Sequence, residues 1–276
     1  MQFRPLHPLV GAEVTGFDPR QPFDEATRAG LMEGMRRHRV LLLRGIPLSE
    51  DEQVRLTQAA GVLTYRGYGN YTDPDMKSSL VSNAHEGGQF GSGELSFHSD
   101  LSFTPHILKA RSLHALMLPS RPEAGGETLF SDVQAAFDEL DPALKARVEP
   151  LQARFAAVYT FGERQETVEF VRPLIGTHPQ TGRRFIAASR AVTKEVVGME
   201  RAEFRPLLKE LWAHIEQPRF IYRHTWRLAD TLFWDNIAVQ HARTPFDPNE
   251  KRALRAVSVD DPAIAVRPPA KDAVPA

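Results

Sequence analysis

The sequence contains no cysteine among its 276 residues. This absence excludes disulfide bonds, thiolate metal ligands and a cysteine nucleophile. Thiol chemistry is therefore excluded as a source of function, and the remaining polar residue types have to carry whatever chemistry the protein performs.

The sequence also lacks an excess of charge of one sign. Lysine and arginine together number 34, aspartate and glutamate 35, and the net charge is -1. Such a balance gives no electrostatic reason to expect a nucleic-acid or anionic-membrane partner. No apolar run approaches the roughly 18 residues of a membrane-spanning helix, and no basic head followed by an apolar stretch indicates a secretory signal. We therefore expect a cytoplasmic protein.

Hydrophobic residues make up 42% of the chain, enough for one large domain with a substantial core. We predict a single domain over residues 1–265 and a flexible tail over 266–276, where three prolines disfavour regular structure. Residues 64–93 are rich in Gly, Asn, Ser, Asp and Tyr and show little periodicity. A long irregular stretch of this kind is often a lid over a binding site, although a disordered surface loop is the alternative.

The apolar pattern predicts helices between many short strands. Helices are expected from the cap Asp24 to about His38, from the capping box of Ser49 and Glu52 to about Ala60, from a second capping box of Ser131 and Gln134 to about Leu140, after Asp141, and over 202–216. Strands are expected at 40–43, 95–103, 111–118, 220–226, 231–234 and 253–259. Helices around many separate strands favour a mixed α/β protein with a mainly β, sandwich-like core.

A candidate metal site consists of His98, Asp100 and His241. Residues two apart on a strand share a face, so His98 and Asp100 can bind one ion together. Two histidines and a carboxylate form the facial triad of non-haem Fe(II) oxygenases and leave positions open for other ligands. Zinc hydrolases use similar sets and remain the rival, although no H-E-x-x-H motif is present.

Arg252, eleven residues after His241, favours iron over zinc. A five-carbon 2-oxo diacid chelates iron at one end, and arginine suits its far carboxylate. Thr128 is expected to add a hydrogen bond. The other histidines are weaker candidates: His114 is expected in the core, while His224 and His85 remain possible neighbours of the site.

Several blocks of the sequence resemble the taurine dioxygenase and 2,4-dichlorophenoxyacetate dioxygenase family. They are V-G-A-E-V-T-G at 10–16, F-H-S-D-L-S-F at 97–103, G-G-E-T-L-F at 125–130, F-W-D-N at 233–236 followed by His241, and the stretch 252–261. The resemblance implies a double-stranded β-helix, a jelly-roll-like core with flanking helices. It also implies Fe(II) as cofactor and 2-oxoglutarate and O2 as co-substrates.

By this resemblance His98, Asp100 and His241 hold iron, and Thr128 and Arg252 hold 2-oxoglutarate. Related halogenases lack the carboxylate ligand, so the presence of Asp100 favours hydroxylation.

The terminal arginine block departs from the family pattern. The family spaces two arginines R-x-x-x-R, whereas Arg252 and Arg255 are one residue closer. Counting from His241 selects Arg252 for 2-oxoglutarate, but counting back from Asp261 selects Lys251 and matches Arg255 to the second arginine. We assign Arg255 to an anionic substrate, although positions three apart on a strand face opposite ways unless a bulge intervenes.

The resulting prediction is a dioxygenase that hydroxylates a C–H bond of a small substrate and releases succinate and CO2. A carboxylate, sulfonate, sulfate or amino acid would suit the site. The substrate pocket is expected to include Phe97, Leu101, Tyr68, Tyr71 and Arg255. A zinc-dependent hydrolase or lyase and a non-catalytic binding protein are the alternatives, and a homo-oligomer is compatible with the resemblance.

Overall fold

The computed structural model describes residues 1–64, 77–86, 88–161 and 164–263. Tyr68, Tyr71 and the predicted tail lie outside the described residues, as does much of the predicted lid.

The described residues form five α-helices: α1 Glu25–His38, α2 Glu50–Thr57, α3 Val133–Asp138, α4 Pro142–Val148 and α5 Arg201–Ile215. The caps Asp24 and Ser49 occur as predicted, and the capping box of Ser49 is complete. The capping box predicted at Ser131 is wrong. The hydroxyl of Ser131 donates instead to the Ile215 carbonyl, and Asp132 caps α3 by accepting from two main-chain N–H groups.

The described residues also form seventeen strands. They are β1 Gln2–Pro5, β2 Ala12–Thr15, β3 Val40–Leu43, β4 Val62–Leu63, β5 Ser79–Ser82, β6 Leu95–His98, β7 Ala110–Met117, β8 Thr128–Asp132, β9 Gln152–Phe161, β10 Arg164–Pro173, β11 Ile175–Thr177, β12 Arg184–Ile186, β13 Thr193–Val196, β14 Ile221–His224, β15 Thr231–Asp235, β16 Val239–Arg243 and β17 Ala253–Asp260.

Two sheets form the centre of the molecule. The larger has the order β1-β2-β3-β15-β7-β17-β4, with β5 also paired to β17, and the smaller has the order β14-β8-β16-β6. Phe130 and Val239 of the smaller sheet pack in one apolar cluster with Leu42, Trp234 and Leu254 of the larger sheet. The prediction of a mixed α/β protein with a sheet-dominated core is therefore confirmed.

The long hairpin of β9 and β10 was not predicted. Its ten residue pairs run from Arg164 opposite Phe161 to Pro173 opposite Gln152. Most described side chains of β10 are exposed, so the hairpin lacks the apolar alternation that reveals a half-buried strand. Among the described residues, no helix combines the length and apolar character that crossing a membrane requires.

Candidate active site

Three side chains that can bind a metal meet inside the sandwich. His98 ends β6, Asp100 lies two residues later, and His241 is in the middle of β16. The strands are neighbours, and His98 and His241 are direct cross-strand partners. Nε2 of His98 lies 3.7 Å from Oδ1 of Asp100, and Nε2 of His241 lies 3.7 Å from Oδ2. One potential ligand atom from each residue lies within 4.8 Å of the other two.

Asp100 reaches this position from a turn and not from a strand. The predicted strand 95–103 ends at His98 because Leu101 adopts a positive φ of 58° and the chain reverses. Asn236, from the F-W-D-N block, fixes the turn. Its Nδ2 donates to the Asp100 carbonyl at 3.1 Å, and its Oδ1 accepts from the Asp100 N–H at 3.0 Å. His98 and Asp100 thus come together through a turn and not, as predicted, by alternation along one strand.

A hydrogen bond orients one imidazole of the triad. Nδ1 of His98 donates to the Ser96 carbonyl at 2.8 Å. The proton therefore lies on Nδ1, and the lone pair of Nε2 is directed at Asp100 and His241. Such partners are the usual means of fixing the tautomer of a metal-binding histidine.

The charges around the triad favour its metal-binding protonation state. Burial raises the pKa of Asp100, but Arg111, His241 and His98 outweigh that effect and hold the pKa well below its usual range. Nη1 of Arg111 is 3.0 Å from Oδ2 of Asp100. Burial, reinforced by His98, lowers the pKa of His241 to about 3 against the opposing effect of Asp100. At neutral pH the carboxylate is ionised and His241 is neutral, as metal ligation requires.

The donor set fits Fe(II). Two imidazole nitrogens and one carboxylate on one side of a buried point match the facial triad and leave the opposite side to other ligands. His98, Asp100 and His241 are the only group of three or more potential histidine, aspartate or glutamate ligands that meet in this way within the described parts of the chain.

A buried cation lies near the triad. Arg252 immediately precedes β17 and is 2% exposed. Its Nη2 donates to the Gly126 carbonyl at 3.0 Å, and its guanidinium lies 5.8 Å from the ring centre of Phe246. Burial, with a smaller contribution from Arg243, lowers its pKa to about 9, so it is still protonated at neutral pH. Within the described ranges, Arg252 forms no ion pair with a carboxylate.

Thr128 lies beside this arginine at the start of β8 and is buried. Its Oγ1 accepts from Nε1 of Trp226 at 3.0 Å, which leaves the hydroxyl proton available for another acceptor. Gly126 makes this arrangement possible. Its φ is +83°, and a Cβ there would lie 3.1 Å from Nε of Arg252.

The triad, Thr128 and Arg252 line one cavity with about 470 Å³ of unfilled space, part of it open to solvent. Sequence reasoning missed its remaining lining residues, which are Val81, Phe90, Leu95, Arg111, Leu113, Trp234, Ala242 and Arg243. A signal for Arg243 existed, because it lies two residues after His241 on a strand. Leu95 had no such signal. It faces the cavity because the register between β6 and β16 shifts between His241 and Arg243.

Three residues predicted to contact the substrate do not line this cavity. The guanidinium of Arg255 points away from the cavity, with Nε donating to Oε1 of Gln53 at 2.7 Å and Nη2 donating to the Leu48 carbonyl at 2.6 Å. Phe97 alternates with His98 and lines a different groove. Leu101 packs in the core.

The two arginines of the terminal block therefore have different surroundings, because Arg252 precedes β17 whereas Arg255 lies within it and bonds Gln53 and Leu48. Lys251 is exposed, whereas Arg252 lines the cavity. The register counted from His241 agrees with the structure.

The remaining candidate histidines lie outside the cavity lining. His114 is a core residue as predicted, with Nδ1 2.8 Å from Oγ1 of Thr231. His224 is buried, with Nε2 3.3 Å from Oδ2 of Asp230. The ring of His224 packs against Trp226, which in turn donates a hydrogen bond to Thr128. Nδ1 of His85 bonds Oγ of Ser82.

Comparison with known proteins identifies the family. The model of the family described as taurine catabolism dioxygenase TauD, TfdA matches residues 2–258. The chain is 32% identical to pentalenolactone F synthase of Streptomyces arenae, with 94% of each chain covered. It is 30% identical to the alpha-ketoglutarate-dependent 2,4-dichlorophenoxyacetate dioxygenase of Cupriavidus pinatubonensis, covering 94% of this chain and 98% of the relative.

Solved structures agree with these matches. The crystal structure of AAD-2 in complex with Mn(II) and N-oxalylglycine superposes with a TM-score of 0.80 at 26% identity, over 95% of this chain and 98% of the other. A putative alpha-ketoglutarate-dependent taurine dioxygenase from Burkholderia xenovorans gives a TM-score of 0.79 at 26% identity, over 94% and 92% of the two chains. The protein is a 2-oxoglutarate-dependent non-haem iron dioxygenase. The chain belongs to the taurine catabolism dioxygenase TauD, TfdA family.

Proposed function

We propose that His98, Asp100 and His241 bind Fe(II), that Thr128 and Arg252 bind 2-oxoglutarate, and that the enzyme hydroxylates a C–H bond of a small anionic substrate. One observation carries this assignment. A buried 2-His-1-carboxylate set and a buried arginine without a carboxylate partner line the same cavity, within the described parts of the chain.

The residues of the triad each have a defined task. Asp100 and His241 are in the ionised and neutral states that metal binding needs, and His98 is oriented through Ser96. Bound Fe(II), with 2-oxoglutarate and O2, supplies the oxidising power that turns a substrate C–H bond into C–OH and releases succinate and CO2. The Asp100 carboxylate fills the ligand position that a halide would need, which favours hydroxylation over halogenation.

The residues around the triad bind and orient the organic molecules. Arg252 can accept the far carboxylate of 2-oxoglutarate in a paired, charge-assisted contact. Thr128 can donate its hydroxyl proton to the same carboxylate, because its bond to Trp226 uses the oxygen only as an acceptor. Phe90, Leu95 and Leu113 give the cavity apolar walls, which exclude water from the reacting atoms.

The charge of the cavity supports an anionic substrate. Arg111, Arg243 and Arg252 line it together with the single carboxylate of Asp100. Three guanidinium groups and a divalent metal exceed the negative charge of Asp100 and doubly charged 2-oxoglutarate by two units. A carboxylate, sulfonate or sulfate group on the substrate would reduce this excess.

We also propose that residues 1–265 form a single domain with a double-stranded β-helix at its centre. Two mainly antiparallel sheets that enclose a common apolar cluster support this description. The flanking helices fit the same architecture.

Substrate-dependent release of succinate tests the proposed function. Purified protein with Fe(II), 2-oxoglutarate and O2 is given pairs of small aryloxy acids and their methyl esters, and alkyl sulfates with the matched alcohols. We expect at least one anionic member to stimulate succinate formation far more than its neutral partner. Equal stimulation by the neutral partners would contradict an anionic substrate, and unaltered activity with zinc in place of iron would contradict the reaction.

A further inference from the structure

Arg243 is a second buried arginine in the cavity, and the roles assigned above leave it without a task. It is the last residue of β16, two positions after His241, so both side chains lie on the same face of the strand. Its direct cross-strand partner on β8 is Thr128. Opposed residues of an antiparallel pair project side by side, which places Arg243 next to the threonine proposed to bind 2-oxoglutarate.

Arg243 and Arg252 form a pair. Both line the cavity, and the ring of Phe246 lies 5.3 Å from the guanidinium of Arg243 and 5.8 Å from that of Arg252. Arg243 is 4% exposed and Arg252 is 2% exposed. Two positive charges are thus held together inside the protein, where their mutual repulsion is weakly screened.

Protein groups satisfy these two cations only in part. Nη2 of Arg243 donates to the main-chain carbonyls of Phe90 and Gly93. Nε of Arg243 and Nε of Arg252 have no acceptor, and neither side chain forms an ion pair with a carboxylate of the described residues. Both guanidinium groups are positively charged at neutral pH. Buried cations of this kind are normally compensated by an anion.

The arrangement suits one carboxylate group. A carboxylate has two oxygens with about four acceptor sites, enough for two guanidinium groups and a hydroxyl. Arg243 is paired with Thr128, Arg252 donates to the carbonyl of Gly126 two residues before Thr128, and all three side chains line the cavity with donors of this kind. An anion between the arginines would also remove their repulsion.

We propose that Arg243 acts with Arg252 as a two-arginine clamp on the far carboxylate of 2-oxoglutarate. This inference rests on the proposed function, since it assigns a further residue to the co-substrate site. The clamp makes the enzyme selective for 2-oxo diacids over 2-oxo monoacids.

A matched control exists for this assignment. Arg172 is also an arginine with a pKa lowered by burial to about 10. It donates to the Thr104 carbonyl and lies 5.8 Å from the ring centre of Phe155, but it does not line the cavity. Arg172→Gln therefore removes a comparable stacked arginine without touching the proposed clamp.

The experiment is an anaerobic titration of the Fe(II)-loaded protein, without primary substrate, followed by the visible charge-transfer band of the bound 2-oxo acid. Wild type, Arg243→Gln, Arg243→Lys and Arg172→Gln are each titrated with 2-oxoglutarate and with 2-oxopentanoate, which has the same chain length but lacks the far carboxylate. We expect Arg243→Gln to weaken 2-oxoglutarate binding about 10- to 100-fold, the range for losing a charge-assisted hydrogen bond. Binding of 2-oxopentanoate should be unchanged, Arg243→Lys should be intermediate, and Arg172→Gln should match wild type.

Three results would overturn the clamp. Equal weakening of both acids would mean that Arg243 merely holds the chain near Phe90 and Gly93. Wild-type affinity for 2-oxoglutarate in Arg243→Gln would mean that the arginine has no part in binding it. In parallel steady-state assays of Arg243→Gln, an effect confined to the KM of the primary substrate would assign Arg243 to the substrate anion. Failure of the proposed function itself would look different, because wild-type protein would then give no band with either acid.

Discussion

At the scale of single residues, the charged side chains of the cavity differ in whether they have an ion-pair partner. Asp100 is paired with Arg111, and the pKa of its carboxyl group lies well below the usual range. Arg243 and Arg252 have no carboxylate partner among the described residues. These are the charges that the proposed binding of Fe(II) and 2-oxoglutarate requires.

Arg252→Ala should raise the 2-oxoglutarate concentration for half-saturation by about 10- to 100-fold, because a buried charge-assisted contact is lost. Lys251→Ala is the matched control, since Lys251 is exposed and adjacent in sequence. Steady-state assays with varied 2-oxoglutarate measure both variants. A larger effect of Lys251→Ala would mean that the register of the terminal block is wrong.

His114 should make the stability of the protein depend on pH. Burial, reinforced by Arg255, lowers the pKa of His114 from 6.5 to about 4, and Asp230 opposes the shift. The folded protein therefore binds fewer protons than the unfolded chain between these values. The stability that this group contributes is complete above pH 6.5 and falls by up to about 1.4 kcal/mol per pH unit as the pH drops towards the folded pKa.

Urea unfolding of metal-free protein at several pH values measures this dependence. His114→Gln keeps a polar side chain at the position but cannot be protonated, so its free energy of unfolding should fall less steeply below pH 6.5 than that of wild type. Identical slopes for the two proteins would show that His114 is not the titrating group.

At the scale of secondary-structure elements, the sequence predicted the helix starts, because these depend on hydrogen bonds between residues close together in the chain. The caps Asp24, Ser49 and Asp141 begin helices because each side chain accepts main-chain N–H groups one turn ahead. Ser131 failed as a cap because strand pairing with β14 and β16 fixes its backbone. The hairpin β9–β10 was missed because its stabilising contacts lie across strands and leave no apolar period in the sequence.

Ser49→Ala tests one of these local signals. Loss of the cap should lower the free energy of unfolding by about 1 kcal/mol. Affinity for 2-oxoglutarate should stay the same, because Ser49 and α2 do not line the cavity. Urea unfolding and a 2-oxoglutarate titration give the two values. Ser49→Asp preserves an N-cap acceptor and should retain most of the stability, whereas equal losses in both variants would argue against capping as the cause.

The active site was predictable from sequence only in part. Spacing and family blocks identified the triad, Thr128 and Arg252, all of which line the cavity. Phe97, Leu101 and Arg255, which were predicted to contact the substrate, do not line this cavity, because their side-chain directions depend on a turn at Leu101 and on contacts with distant residues such as Gln53. The contribution of Arg111 depends on the pairing of β7 with β15 and β17, which a single sequence does not reveal.

At the scale of the whole molecule, two sheets enclose one apolar cluster, and the residues proposed to bind the metal and the co-substrate line a cavity formed by strands of both sheets. Residues from distant parts of the chain share that cluster, so neither sheet can lose its partner without exposing it. We therefore expect one cooperative transition in scanning calorimetry, with matching calorimetric and van't Hoff enthalpies. Two separate transitions would contradict the proposed single domain.

The most direct test of the central claim is anaerobic addition of Fe(II) and 2-oxoglutarate to metal-free protein, followed by visible absorption. We expect a charge-transfer band in wild type and its loss in His98→Ala, with circular dichroism used to verify that both proteins are folded. A folded wild-type protein that binds the metal and gives no band, or a band unchanged in His98→Ala, would contradict the assignment of this cavity as the Fe(II) and 2-oxoglutarate site.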